Sequence, residues 1–239
     1  ARAISFALCD SEPDEPLLKD AWEGKLTTRD DVRRHVDRIL KDRGMQKSHV
    51  LRFFQEYFGY TTAGDVFKDQ TTLAEYGLKK QGYAPNIYIA DANHLVEWAL
   101  AKDKQVLREL LTTPKTFVLT AGRREGKDNF KAYAEKLRAG EPEKKSDRES
   151  VFGYPGTPIP DAVLAVYEIK VHVKDWYDDR PFDMPADHRL GILTHPSWLI
   201  AHTSNFDNHA IDRGRWIRER LLGGRIPEIP ITVDAALPR

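Results

Sequence analysis

Apolar residues recur along this chain at the three- and four-residue spacing of helices, broken by polar caps and glycine stops. Val32, Val36, Ile39 and Leu40 form one such stripe. It lies behind Thr28, a good N-cap, with Asp30 and Asp31 in a first turn where carboxylates complement the helix dipole. Arg43-Gly44 supplies the stop. Val50, Leu51, Phe54, Tyr57 and Phe58 define a second helix that Gly59 closes. A third is expected to start at Asp91 as its cap and to carry Leu95, Val96, Ala99 and Leu100. A fourth is expected from Asp103 through Val106, Leu107, Leu110 and Leu111, ended by Thr113-Pro114. Residues 60–90 lack clean periodicity and read as a long loop. Further helices are predicted over 127–138, 195–203 and 209–222, the last stopped by Gly223-Gly224.

Between 163 and 174 the period changes to two. Val163, Ala165, Tyr167, Ile169, Val171 and Val173 alternate with Glu168, Lys170, His172 and Lys174, which predicts one strand. Just before it, Glu141-Pro142-Glu143-Lys144-Lys145-Ser146-Asp147-Arg148-Glu149 is charged and proline-bearing, the best linker in the chain. The expected fold class is therefore mainly α: two packed helical subdomains with a short strand or hairpin near 163–174. The expected division is 1–140, a charged linker at 141–150, and 151–239.

Composition narrows the function classes. The chain has 239 residues, 41% hydrophobic, enough for one sizeable core or two small ones. Lys plus Arg and Asp plus Glu both number 37, so the net charge is zero. That argues against a nucleic-acid binder and a polybasic membrane-surface protein. No run of apolar residues is long enough to span a bilayer. Cys9 is the single cysteine, which excludes a disulfide scaffold and any cysteine-built zinc or iron–sulfur site. The start, Ala-Arg-Ala-Ile, reads as mid-helix, so a fragment or processed product is expected.

Familiar catalytic motifs fail on spacing. Gly122-Arg-Arg-Glu-Gly126-Lys127-Asp128 has three residues between its glycines where a phosphate loop needs four, and Asp128 stands in place of the hydroxyl residue. There is no nucleophile elbow, no His-Glu-x-x-His and no Cys-x-x-Cys-His. Nothing in the spacing pairs two carboxylates as acid and base, so a polysaccharide hydrolase is the weakest reading.

The informative stretch is 188–225, which holds His188, His195, His202 and His209. Thr194 is the expected N-cap of the first helix there, with Pro196 in its first turn. On one helix His195 and His202, two turns apart, share a face with Trp198 or Leu199. Three readings stay open for them: a helix cap with an interface histidine, a haem-facing pair, or a metal site, although no carboxylate stands at the spacing that would complete one. Arg213, Arg215, Arg218, Arg220 and Arg225 make the second helix basic opposite Ala210, Gly214, Ile217 and Leu221. With Trp216 such a helix suits clamping of carboxylates, among them haem propionates, or simple solvation and pairing. Asn205, Asp207 and Asn208 form an Asx-rich turn that caps this helix or, less favoured, offers oxygens to calcium.

Arg189-Leu-Gly-Ile-Leu-Thr-His-Pro-Ser-Trp-Leu, Asn205-Phe-Asp, Arg213-Gly-Arg-Trp-Ile-Arg-Glu-Arg-Leu-Leu-Gly and Ile226-Pro-Glu-Ile-Pro resemble a family of large secreted, cytochrome c-associated proteins of planctomycetes and myxobacteria. Arg2-Ala-Ile-Ser-Phe-Ala-Leu, Pro13-Asp-Glu-Pro-Leu-Leu, Phe53-Phe-Gln-Glu-Tyr-Phe-Gly-Tyr and Val106-Leu-Arg-Glu-Leu-Leu-Thr-Thr resemble its companion domain. The resemblance implies the middle segment of a periplasmic or secreted protein with haem c attached outside this segment. It implies neighbouring haem-bearing domains or subunits as partners, and electron transfer or haem-dependent redox chemistry. It brings no catalytic residues with it. On that expectation His195 or His202 approaches a neighbour's haem, Trp198 walls it, and Arg213 or Arg215 pairs with its propionates. The alternative is a non-enzymatic interaction module that binds a partner subunit or a polysaccharide.

Overall fold

The computed structural model describes residues 1–42, 45–75, 83–118, 127–142, 161–169, 181–204 and 208–227. They are mainly helical, with one two-stranded antiparallel sheet.

The first three helices, α1 (Arg2–Cys9), α2 (Glu15–Trp22) and α3 (Arg29–Lys41), enclose a small core of Cys9, Leu17 and Ile39. Thr28 caps α3 as its sequence predicts. Its hydroxyl accepts from Asp31 N–H at 3.2 Å, and Asp31 accepts in turn from Thr28 N–H at 2.9 Å, closing a capping box. Asp14 caps α2 and also takes both arms of the Arg38 guanidinium, at 2.6 and 2.8 Å, so one carboxylate fixes α2 against α3. Helix α4 (Ser48–Phe58) ends at Gly59 in the left-handed conformation, as expected.

The described residues between 60 and 90 are not a long loop. They hold a 3-10 turn (Tyr60–Asp65), α5 (Gln70–Glu75) and the start of α6 (Pro85–Lys102). Asp91 does not cap α6. Pro85 occupies the first turn, where its missing N–H costs nothing, and Asp91 lies buried mid-helix on the stripe Tyr88, Ala92, Leu95, Val96 and Ala99. Asp103 ends α6 rather than starting the next helix: its left-handed backbone (φ 49°) turns its N–H back to Leu100 O at 3.1 Å. Helix α7 (Val106–Thr112) follows at once.

The sheet pairs β1 (Lys115–Thr116) with β2 (Phe182–Asp183), Lys115 opposite Asp183 and Thr116 opposite Phe182. The strand expected near 163–174 is instead α9 (Asp161–Val166) over its first residues; α8 (Lys127–Arg138) precedes it, as expected. Val163, Leu164 and Tyr167 are buried together at i, i+1 and i+4, a helical face of which Val163 and Tyr167 also fit the alternation. Positions 170–174 lie outside the described residues, as do Arg43-Gly44, 143–150 of the charged stretch, and Asn205 and Asp207.

Two cores meet along α6. Phe58, Tyr60, Leu95, Val96, Leu110, Ile192 and Trp198 form one, and Tyr88, Val118, Ala134, Val163, Tyr167 and Met184 the other. Each fully buried side chain of this size contributes about 1.5–3 kcal/mol. The C-terminal part closes over them through a 3-10 turn (Ile192–Thr194), α10 (Pro196–Ala201), α11 (Ala210–Trp216) and a π-helical turn (Ile217–Leu221).

Candidate functional site

The N-cap of α10 is His195, not Thr194. Ser197 N–H donates to His195 Nδ1 at 3.2 Å, and the Ser197 hydroxyl shares the same nitrogen at 2.8 Å. A nitrogen that accepts from a backbone N–H carries no proton, so the tautomer that fits is Nε2–H. That proton points at Asp91 Oδ2, 2.9 Å away on α6. Asp91 also accepts from the Thr116 hydroxyl at 2.6 Å and from Phe117 N–H. Asp91, Thr116, His195 and Ser197 have no exposed surface.

Tyr167 packs edge-on against His195, with ring centroids 5.6 Å apart. Burial, reinforced by the charge of Asp91, pushes its phenol well above its ordinary value. Its hydroxyl closes no hydrogen bond of normal geometry, and neither does Trp198 Nε1.

Asp91, His195 and Ser197 stand in the order of a hydrolytic triad. The geometry denies them that role. Ser197 Oγ is buried on the first turn of α10, two residues from the base it touches, so no substrate carbonyl reaches it. What these groups do is satisfy one another where they are fully buried, and an unpaired member there would be costly.

Trp198 is the centre of a neighbouring aromatic cluster. Its ring lies 4.5 Å from His202 and 5.6 Å from Trp216, and Trp216 also meets Tyr57 and Phe58, each at 5.8 Å. His202 Nε2 donates to Phe58 O at 3.2 Å, and Nδ1 lies 3.6 Å from Asp212 Oδ2. Arg213 donates to Asn208 Oδ1, and Arg215 pairs with Glu219 at 3.0 Å on an exposed face. The structure thus brings Trp198 and His202 together and keeps Arg213 and Arg215 apart from His195. His195 uses both ring nitrogens inside the fold and has none left for iron, whereas His202 uses Nε2 there and turns Nδ1 toward the Asp212 carboxylate. Among the described residues no group of three His, Cys, Asp or Glu is arranged to hold a metal ion.

Sequence reasoning missed Asp91, Thr116, Tyr167 and Ser197. Asp91 left a signal: a carboxylate on an otherwise apolar helical stripe must be paired. Gly191 was also missed. It seats the 3-10 turn by donating its N–H to Thr113 O at 2.7 Å. Its backbone (φ 63°, ψ −171°) lies in a region open essentially to glycine alone. A Cβ there would stand 2.3 Å from Leu111 C.

Residues 1–121 match the family model described as PSD4, protein of unknown function (DUF1592). The chain belongs to the DUF1592 family. Residues 189–239 match a second model, PSCyt3, also described as a protein of unknown function (DUF1588). These names fit a family of cytochrome c-associated domains. No curated protein and no solved structure matches the chain. In this DUF1592 chain the buried network falls where the two matched segments meet. Asp91 and Thr116 come from the first, His195 and Ser197 from the second, and Tyr167 from between them. Among the described residues no helix is long and apolar enough to cross a membrane.

Proposed function

We propose that this chain is a non-catalytic scaffold segment of a larger, periplasmic or secreted c-type cytochrome-like protein. Haem c is attached by neighbouring segments, electron transfer belongs to them, and this chain fixes how they are held. The observation that carries the reading is the spent chemistry of His195. It commits both ring nitrogens within the fold, Nε2 to Asp91 and Nδ1 to Ser197, while His202 commits Nε2 to Phe58 O and turns Nδ1 toward Asp212. A histidine that ligates iron needs a free lone pair and an open approach. The cytochrome association rests on the family names and on the resemblance of residues 189–230.

The test is a reduced-minus-oxidised visible spectrum of the intact natural protein that contains this chain, with and without His202→Ala. The expected result is Soret, α and β bands at the same wavelengths in both, with a lower melting temperature for the variant. A Soret shift in the variant would return His202 to the iron. A flat spectrum from the intact protein would remove the cytochrome part of the proposal.

A second reading, a module that docks a partner subunit or a polysaccharide, is favoured by α11 and the turn after it. Ile211 and Leu222 there are 90% and 73% exposed, beside the exposed Arg215.

A further inference from the structure

Tyr167 lies within a short stretch that returns from α9, and it closes the core over the Asp91–His195 pair. The residue after it, Glu168, closes α9 in the left-handed conformation of a helix C-cap (φ 57°), with Glu168 N–H donating to Ala165 O at 3.0 Å and Ile169 N–H to Leu164 O at 3.2 Å. Its carboxylate meets two basic side chains. His188 Nε2 lies 2.7 Å from Glu168 Oε2, and Arg189 Nε donates to Oε1 at 3.0 Å. The rest of the Arg189 guanidinium donates to Val166 O and Thr194 O, both at 3.2 Å. One side chain therefore joins the end of α9, Glu168 and the turn that leads into His195.

We propose that Glu168, His188 and Arg189 form a pH-sensitive latch on the Tyr167 segment, tight while His188 is charged and looser once it is neutral.

The charged groups around His188 are Glu168 from the α9 side, and Asp187 and Arg189 from its own loop. Asp187 Oδ1 lies 2.9 Å from Nδ1, so both ring nitrogens face carboxylates, an arrangement that favours the doubly protonated ring. The hydrogen bond to Glu168, then that to Asp187, raises His188 above its ordinary value, while both carboxyls are lowered. The sign follows. A histidine raised by folding contributes stability that is complete below its unfolded value, about 6.5, and is lost as pH climbs through the raised one. Arg189 stays charged throughout, so the latch loosens rather than opens.

Hydrogen–deuterium exchange of the full chain at about pH 5.5 and about pH 8.5 in low salt tests this, with protection factors corrected for intrinsic rates. The expected result is a fall in protection over 163–169, roughly two- to fivefold for one exposed ion pair, with α6 unchanged. His188→Gln, whose side chain is half-exposed and whose fold is checked by its melting curve, is expected to sit at the low level at both pH values. Equal wild-type protection at both, or the same fall in His188→Gln, would overturn the proposal.

Discussion

His195 Nε2 lies 2.9 Å from Asp91 Oδ2, with both side chains wholly buried and 104 positions apart in sequence. This contact ties α6 to the cap of α10. Asp91→Ala removes the acceptor for three donors at once: His195 Nε2–H, the Thr116 hydroxyl and Phe117 N–H. A loss of about 3–5 kcal/mol is expected from the orphaned polar groups. Urea denaturation should show it as a lower midpoint with the slope retained.

Gly191→Ala should be among the most damaging single substitutions. The new methyl meets the backbone of Leu110 and Leu111 at 2.3–2.5 Å, and no rotamer relieves a clash with backbone. A loss of more than about 3 kcal/mol, or no folded protein, is expected. Gly214→Ala is the control. It lies within α11 with nothing inside 4 Å, so alanine should stabilise by up to about 1 kcal/mol. Thermal melts of the two variants should move in opposite directions.

The sequence made the local half of this structure legible and left the distant half hidden. Thr28 as N-cap and Asp31 in the first turn lie three residues apart, so residue type and spacing sufficed to predict both, and the structure adds that they close a capping box. Asp91 was misassigned as a cap because Asp is common at caps, and its actual partner lies more than a hundred residues away. Spacing alone put His195 and His202 on one helical face. What consumes them, Asp91 and Phe58 O, comes from α6 and α4, which no spacing rule reaches. The strand near 163–174 failed because two of its buried positions, Val163 and Tyr167, fit a helical turn as well as an alternation.

Trp216 packs α11 against the aromatic cluster, Asp212 of α11 faces His202 and the Tyr57 hydroxyl donates to Arg220 O at 3.0 Å, while α11 and the π-helical turn after it bury no residue fully. Trp216→Ala should release this stretch while the rest of the fold holds. Amide exchange over 210–221 should rise toward the unprotected rate, with α6 little changed.

Asp31 offers a pH test with a defined window. The hydrogen bond from the Thr28 hydroxyl, then that from Thr28 N–H, holds its carboxyl at about 2, below the ordinary 3.8. A carboxyl lowered by folding contributes stability that is present above its unfolded value and is lost as pH falls toward the folded one. Thr28→Ala should move the Asp31 carboxyl titration, followed by NMR, up toward the ordinary value and shrink that acid dependence.

The most direct test of the account is a double-mutant cycle on the full chain with Asp91→Ala, His195→Ala and the pair. If the two residues lock the DUF1592 and DUF1588 segments together, the double variant should be less damaged than the sum of the singles, by about 2–3 kcal/mol. Losses that simply add, within about 0.5 kcal/mol, would contradict it.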